Sequence, residues 1–262
     1  MRDRRFGRLR DAGTIDFETD VIGTGTLEIL SVELELPLPQ EGIFDQLGTR
    51  PGVVIYYAKA ADFADMPGRE LLTPERRERI RGFKQEDDKV RSLVAGLLLR
   101  RFVSPKEPLR GQYGKPFFRD GPFFNLSHAG DYVVLAVAGG DVGVDIERLR
   151  PWQEKVAERC FAGPERDWLA RQIDPLNGFY RLWTAKESVM KASGEGFHMP
   201  PETVRVFPRD AAAQDANGAD WYLSWFELPG HVICVATPSA QGETTLQQVS
   251  REELLESPEE DA

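Results

Sequence analysis

Two short stretches place acids and a lysine at spacings that could do chemistry. Gly143-Val144-Asp145-Ile146-Glu147 sets two carboxylates two residues apart. Trp183-Thr184-Ala185-Lys186-Glu187-Ser188 adds a third acid, and Lys191 follows it by four residues. In a strand, residues i and i+2 project to the same face, so Asp145 and Glu147 stand side by side. Val142, Val144 and Ile146 read as the buried opposite face. Carboxylates on one face repel, and a hard divalent cation offsets that repulsion; an edge strand with its acids in water is the plainer alternative. In a helix, Glu187 and Lys191 share a face. An ordinary surface ion pair is the common form of that pattern, but Trp183 one turn earlier argues against a fully exposed face. Three acids with a lysine suit Mg²⁺ holding a phosphate ester, because few protein oxygens suffice when waters and phosphates complete the shell. His128, His198 and His231 are scattered and make no metal cluster.

Basic and polar groups stand where phosphates could be met. Arg76, Arg77, Arg79 and Arg81 crowd one short helical stretch, and Arg91 opens the next. Gly114-Lys115-Pro116 is a constrained turn presenting a lysine. Asn125-Leu126-Ser127-His128 ends a short strand with polar tips. Each has a bland counterpart: arginine-rich helix faces are usually solvated, and a Ser-His pair often caps a turn. A serine-hydrolase reading of Ser127 is poor, since no nucleophile-elbow pattern surrounds it.

The elements that must position these groups are strands and helices in mixed order. Leu30–Leu36 alternates as a half-buried strand, and 53–57 is a second strand. Thr73 as N-cap with Pro74 opens a helix. A longer helix spans about 87–103, with Val90, Leu93, Val94, Leu97 and Leu98 on one stripe. Strands at 123–126, 132–137 and 142–147 precede helices at 153–161, from Gly163 on, and at 176–192. Strands return at 204–207, 221–226 and 231–236. A weak internal repeat aligns Pro74-Glu75-Arg76 with Pro164-Glu165-Arg166, ninety positions on. At that offset Ile55, Tyr57 and Leu97 stand opposite Asp145, Glu147 and Glu187, so only the second half has the acids. The expected fold is α+β, a pseudodimer of two similar α/β halves with the active site at their interface. The expected divisions are a tail at 1–25, a first half at 26–141, a second half at 142–254 carrying the acids, and an acidic tail at 255–262.

Composition narrows the setting. The 262 residues, 41% apolar, permit a substantial core. A net charge of −10 argues against general nucleic-acid binding, which rests on a basic surface. Two distant cysteines, Cys160 and Cys234, make neither a disulfide framework nor a zinc site and fit a reducing, cytoplasmic setting. No apolar run is long enough to span a membrane. Arg2, Arg4, Arg5, Arg8 and Arg10 lead into no apolar segment, so they do not read as a secretory signal.

Taken together, Gly114-Lys115-Pro116, Phe124-Asn125-Leu126-Ser127-His128, Gly143-Val144-Asp145-Ile146-Glu147 and Trp183-Thr184-Ala185-Lys186-Glu187-Ser188 with Lys191 resemble the surfactin-synthetase type of 4′-phosphopantetheinyl transferase. The match runs from about Thr73 to Gly196 and more weakly to Glu252-Glu253-Leu254. Any one motif is modest; four in order are specific. The resemblance implies transfer of the phosphopantetheine arm of coenzyme A to a serine of an apo carrier protein (acyl, peptidyl or polyketide), releasing adenosine 3′,5′-bisphosphate. It implies Asp145, Glu147 and Glu187 as Mg²⁺ ligands and Lys191 on the pyrophosphate. It sets Arg76 and Arg79 toward the coenzyme A phosphates, and Lys115, Ser127 and His128 on the nucleotide side. The serine proton would go to Glu147 or Glu165, a choice the sequence leaves open. The resemblance and the repeat together imply a monomer. A carrier helix could meet Leu149–Cys160, including Trp152, with Arg148, Arg150 and Arg159 as local positive charge, although a plain packing helix is equally compatible with that stretch. The competing readings are a non-catalytic coenzyme A or carrier-binding module, and a metal-dependent nuclease. The latter wants its lysine two residues after the glutamate on a strand, not four along a helix.

Overall fold

The computed structural model describes residues 52–239 and 242–256, so the expected strand at Leu30–Leu36, the tail at 1–25 and most of the tail at 255–262 lie outside the described residues. The first half opens with β1 (Val53–Lys59), followed by α1 (Pro74–Gly82) and α2 (Glu86–Phe102). A small hairpin, β2 (Leu109–Arg110) with β3 (Pro116–Phe117), leads to β4 (Phe123–Ala129) and β5 (Tyr132–Ala138). The second half runs β6 (Gly143–Arg148), α3 (Glu154–Cys160), α4 (Gly163–Leu169) and α5 (Pro175–Ser193), then β7 (Arg205–Phe207), β8 (Ala212–Gln214), β9 (Asp220–Leu228) and β10 (His231–Thr237). The chain closes with β11 (Thr244–Gln248) and α6 (Arg251–Leu255). This is an α+β fold.

Local chemistry accounts for the helix starts. The Thr73 hydroxyl accepts from the Arg76 amide at 3.2 Å, with Pro74 at the first helical position. Asp174 does the same for α5, accepting from Asn177 N at 3.1 Å ahead of Pro175. Gly194 ends α5 in the left-handed region, φ 79°, where a side chain would be strained.

Beside the β2–β3 hairpin two larger sheets form, in strand orders β11-β1-β5-β4 and β6-β10-β9-β8-β7. Side-chain alternation sorts three cores. Val133, Leu135 and Val137 of β5 meet Leu93, Leu97 and Leu98 of α2. Val134 and Ala136 point the other way and pack with Ile55, Val144, Ile146, Ile233 and Val235 between the sheets. Val232, Cys234 and Ala236 of β10 pack with Leu182, Ala185 and Val189 of α5. The layers are therefore helix, sheet, sheet, helix, and each two-residue alternation assigns one strand face to each neighbour.

One expected boundary needs correction. The stretch 142–254 does not stay together: β11 pairs in parallel with β1, and Val249 and Leu254 bury into the α2 core of the first half. Thr244-Thr245-Leu246-Gln247-Gln248 is polar and half exposed, with no apolar period to mark it. Strand β8 and α6 likewise carry little local signal, and of the β2–β3 hairpin only the Gly114-Lys115-Pro116 turn is marked in the sequence.

Candidate active site

Strand β6 delivers Asp145 and Glu147 to the face opposite Val144 and Ile146, toward α5. Helix α5 answers with Trp183, Glu187 and Lys191 on successive turns. The Lys191 ammonium lies 2.6 Å from Asp145 Oδ1 and 4.0 Å from Glu187 Oε2. It also donates to Ser127 Oγ at 3.0 Å, while that hydroxyl donates to Asp145 Oδ1 at 2.9 Å. The Trp183 indole N–H donates to Glu147 Oε1 at 3.2 Å. The structure thus brings five expected residues together: Asp145, Glu147, Glu187, Lys191 and Ser127.

All three acids are buried, with Asp145 2% and Glu187 4% exposed. Burial, reinforced by Asp145, pushes the Glu147 carboxyl up to about 7, against the pull of Lys191, the Trp183 N–H and Arg150. Burial and Asp145 raise Glu187 to about 8, again opposed by Lys191. Burial pulls on Lys191 in the other direction, but Asp145 and Glu187 outweigh it and raise its affinity for the proton. One ammonium does not balance three carboxylates, so the cluster is short of positive charge.

The donor set fits a hard cation. It is all oxygen, and Asp145 Oδ2 is buried without a hydrogen-bond partner. Among the described residues no three His, Cys, Asp or Glu side chains converge at metal-holding distance. Lys191 instead sits among the acids.

Beside the cluster opens a pocket of about 270 Å³, lined by Lys115, Asn125, Ser127, His128, Glu187 and Lys191 among others. Tyr113 packs on His198 at its rim, and Phe197 is largely exposed there. Lys115 donates to the Ala192 carbonyl at 2.7 Å and lies 3.7 Å from Asp141, so it also caps the end of α5. Burial lowers its proton affinity, and Asp141 works against that. His128, 4% exposed, ends β4 on the pocket wall.

Other expected site residues stand apart. Arg76 and Arg79 do not line this pocket. They bracket Glu107, Arg79 at 3.0 Å and Arg76 at 3.8 Å. Burial lowers Arg76 to about 10, opposed by Glu107 and aided by Arg79 and Arg110. Glu165 was one of two possible bases, but it does not join the acids. Its Oε1 accepts from Val206 N at 2.7 Å and meets the fully buried Lys186 ammonium at 2.9 Å, while Oε2 accepts from Ala162 N at 2.6 Å. Lys186 also donates to the carbonyls of Pro201 and Val204. Both carboxylate oxygens are thus committed to joining α4, α5 and β7. On the expected carrier-facing stretch, Trp152 stacks on Phe179 at 5.0 Å, and Ala157 and Cys160 bury into the core.

Two residues quoted within the sequence motifs have roles at the site that the sequence does not show. Gly143 lets β6 approach α5, because a Cβ there would lie 2.0 Å from the Ser188 carbonyl oxygen and 2.5 Å from Ala192 N. Asn125 ties β4 to β6 through its side chain. The glycine heading the acid motif was visible; its reason was not.

Comparison with known proteins decides the family. The model of the 4′-phosphopantetheinyl transferase superfamily matches residues 141–236. The transferase Sfp of Bacillus subtilis (strain 168) is 33% identical over 204 residues, covering 71% of this chain and 90% of that one. The chain belongs to the Sfp-type 4′-phosphopantetheinyl transferases. The ffp transferase of Bacillus subtilis is 32% identical over the same length and coverage. The gsp transferase of Aneurinibacillus migulanus is 38% identical over 123 residues, 43% of this chain and 52% of that one. As a transferase of this class, the protein moves the phosphopantetheine arm of coenzyme A to carrier proteins. Among the described residues, no helix of the transferase is long and apolar enough to cross a membrane.

Proposed function

We propose that Asp145, Glu147 and Glu187 hold Mg²⁺ for this transfer, with the pyrophosphate of coenzyme A beside Lys191 and adenosine 3′,5′-bisphosphate as the leaving product. The observation that carries this reading is the buried, partnerless Asp145 Oδ2 in a cluster whose three acids face one ammonium. Bound Mg²⁺ supplies charge neutralisation for the phosphates and the departing group. Phosphoryl-type transfer rests mostly on positioning and charge stabilisation, and this chain's own residues contribute both. Lys191 holds Asp145 in place and offers its ammonium to the incoming phosphates. Lys115 and His128 orient the nucleotide from the pocket wall, and Ser127 acts from within the acid cluster through its bonds to Asp145 and Lys191. Arg76 and Arg79 steer phosphate from α1, with Glu107 fixing their side chains meanwhile. The carrier serine gives its proton to Glu147. Glu165 is the poorer acceptor because Val206, Lys186 and Ala162 occupy its oxygens.

In the same reading the two halves are related by a pseudo-two-fold, with the site between them. The recurrence of strand, short helix, long helix and antiparallel strand pair in β1-α1-α2-β4-β5 and β6-α4-α5-β9-β10 supports it. The first half covers the described part of 26–141, and the second covers 142–237 with the closing segment returned to the first. One site per chain supports a monomer, and the net charge of −10 and two unpaired, buried cysteines support a cytoplasmic enzyme without nucleic-acid partners. Carrier proteins dock on the surface carrying the exposed Arg148, Arg150 and Arg159, whose positive charge suits an acidic partner.

The test is direct. The protein is mixed with coenzyme A, Mg²⁺ and several apo carrier domains, and each carrier is weighed by mass spectrometry. A gain of the phosphopantetheine mass that disappears with chelator supports the reading. Transfer that persists undiminished in chelator removes the metal from it.

A further inference from the structure

Strands β4 and β6 border the two sheets and run alongside each other, yet each makes its backbone ladder elsewhere, β4 with β5 and β6 with β10. Side chains close the seam between them. Asn125 Oδ1 accepts from the Val144 amide at 2.9 Å, and Ser127 Oγ accepts from the Ile146 amide at 3.4 Å. Both bonds span nineteen residues, so the strands advance together and alternate residues of β4 face alternate amides of β6. The same alternation turns Phe124 and Leu126 into the α2 core and leaves Asn125 and Ser127 for the seam. Val144 and Ile146 are the neighbours of Asp145, so the amides held this way flank that carboxylate in the chain. An unpaired amide at this buried position would be costly, and Asn125 removes that cost for Val144.

We propose that Asn125 is a positioning residue for the metal-binding acids: its side-chain carbonyl takes the place of a ladder partner and fixes the height of β6, and hence of Asp145 and Glu147, against Lys191 and the pocket. The inference rests on the Mg²⁺ reading of the acid cluster. Residues that orient metal ligands typically change metal affinity about 10–100-fold when removed. Ser127 supports the same seam but touches Asp145 itself, so it is the poorer probe of this role.

The test compares Asn125→Ala with Asn125→Asp, which keeps an acceptor for Val144. Mn²⁺ binding by calorimetry in the presence of coenzyme A, Mg²⁺ dependence of transfer, and amide exchange at Val144 are read together. Asn125→Ala is expected to weaken Mn²⁺ binding about tenfold. It should raise half-saturating Mg²⁺ similarly and accelerate exchange at Val144. Asn125→Asp is expected to restore slow exchange at Val144. Unchanged Mn²⁺ binding in a folded Asn125→Ala protein overturns the proposal. So does fast exchange of the Val144 amide in the wild-type chain, a readout independent of whether any variant folds. Asp145→Ala separates the two ideas: if it leaves Mn²⁺ binding intact, the metal reading itself fails, whereas loss of binding there with none in Asn125→Ala sinks only the positioning role.

Discussion

The α-carbon of Gly143 abuts the Ser188 carbonyl so closely that a Cβ would lie 2.0 Å from that oxygen. This contact sets how near β6 comes to α5, and so whether Asp145 on one and Lys191 on the other can meet at 2.6 Å. Both atoms facing the missing Cβ at under 2.6 Å are backbone, so no rotamer change relieves the clash. Gly143→Ala is therefore expected to lower stability by about 1–3 kcal/mol. It should also cut transfer more than about tenfold by opening the Asp145–Lys191 gap. Thermal unfolding and initial rates check both effects; a variant with wild-type rates would show that the approach is not needed for catalysis.

The acid cluster makes stability depend on pH in a stated direction. Glu147 and Glu187 are raised in the fold to about 7 and about 8, well above their unfolded values near 4.3. Between those limits the folded state binds more protons than the unfolded one, so stability declines as pH rises. In chelator, the melting temperature should fall from pH 5 to pH 8, and Mg²⁺ should flatten that fall. Glu187→Gln should remove part of the decline and raise the melting temperature at pH 8 without metal. A melting temperature that climbs over this range in chelator would contradict the charge balance.

Asp145→Ala and Glu187→Ala should each abolish transfer while the fold persists, because the acid that remains in either variant still partners the Lys191 ammonium. Circular dichroism and the carrier mass assay read the two halves of that statement. Full activity in either variant removes that residue from the metal shell.

Glu165 and Lys186 form a buried pair that joins α4 to α5. Lys186→Met strands a buried carboxylate and should destabilise the protein by about 3–5 kcal/mol. Glu165→Gln keeps an oxygen toward Lys186 and should retain transfer within about tenfold, with a lower melting temperature. Loss of kcat by several orders of magnitude in a folded Glu165→Gln protein would instead make it the base.

Arg79 is held by Glu107 and about one-third exposed, free to exchange that partner for a phosphate. Arg79→Ala should raise the KM for coenzyme A about tenfold, the scale of one charge-assisted hydrogen bond. Its kcat should change little, because the contact is made equally before and during transfer. A fall in kcat at unchanged KM would point to a role nearer the reaction.

Much of the site was legible because local patterns encode it. A strand alternates and a helix repeats every three to four residues, so Asp145 with Glu147, and Glu187 with Lys191, had to share faces before any packing was known. The helix starts at Thr73 and Asp174 rest on cap chemistry within three residues. The motif order identified the transferase family, and similarity to Sfp agrees with it.

What lay beyond the sequence were relations between distant segments. Glu165 carries the same charge as Glu147, and nothing local tells an acid bound for Lys186 from one bound for the pocket; only the packing of α4 on α5 and β7 separates them. Strand β11 gives little local signal, and its place beside β1 comes from a free sheet edge some 190 residues away in sequence. By itself the sequence determined which residue types share a face and which family they mark, because those are properties of neighbours along the chain. Tertiary structure alone decided how closely β6 meets α5, which acids gather around Lys191, and that Asn125 closes the seam between the sheets, because burial and contact depend on segments the local pattern does not see.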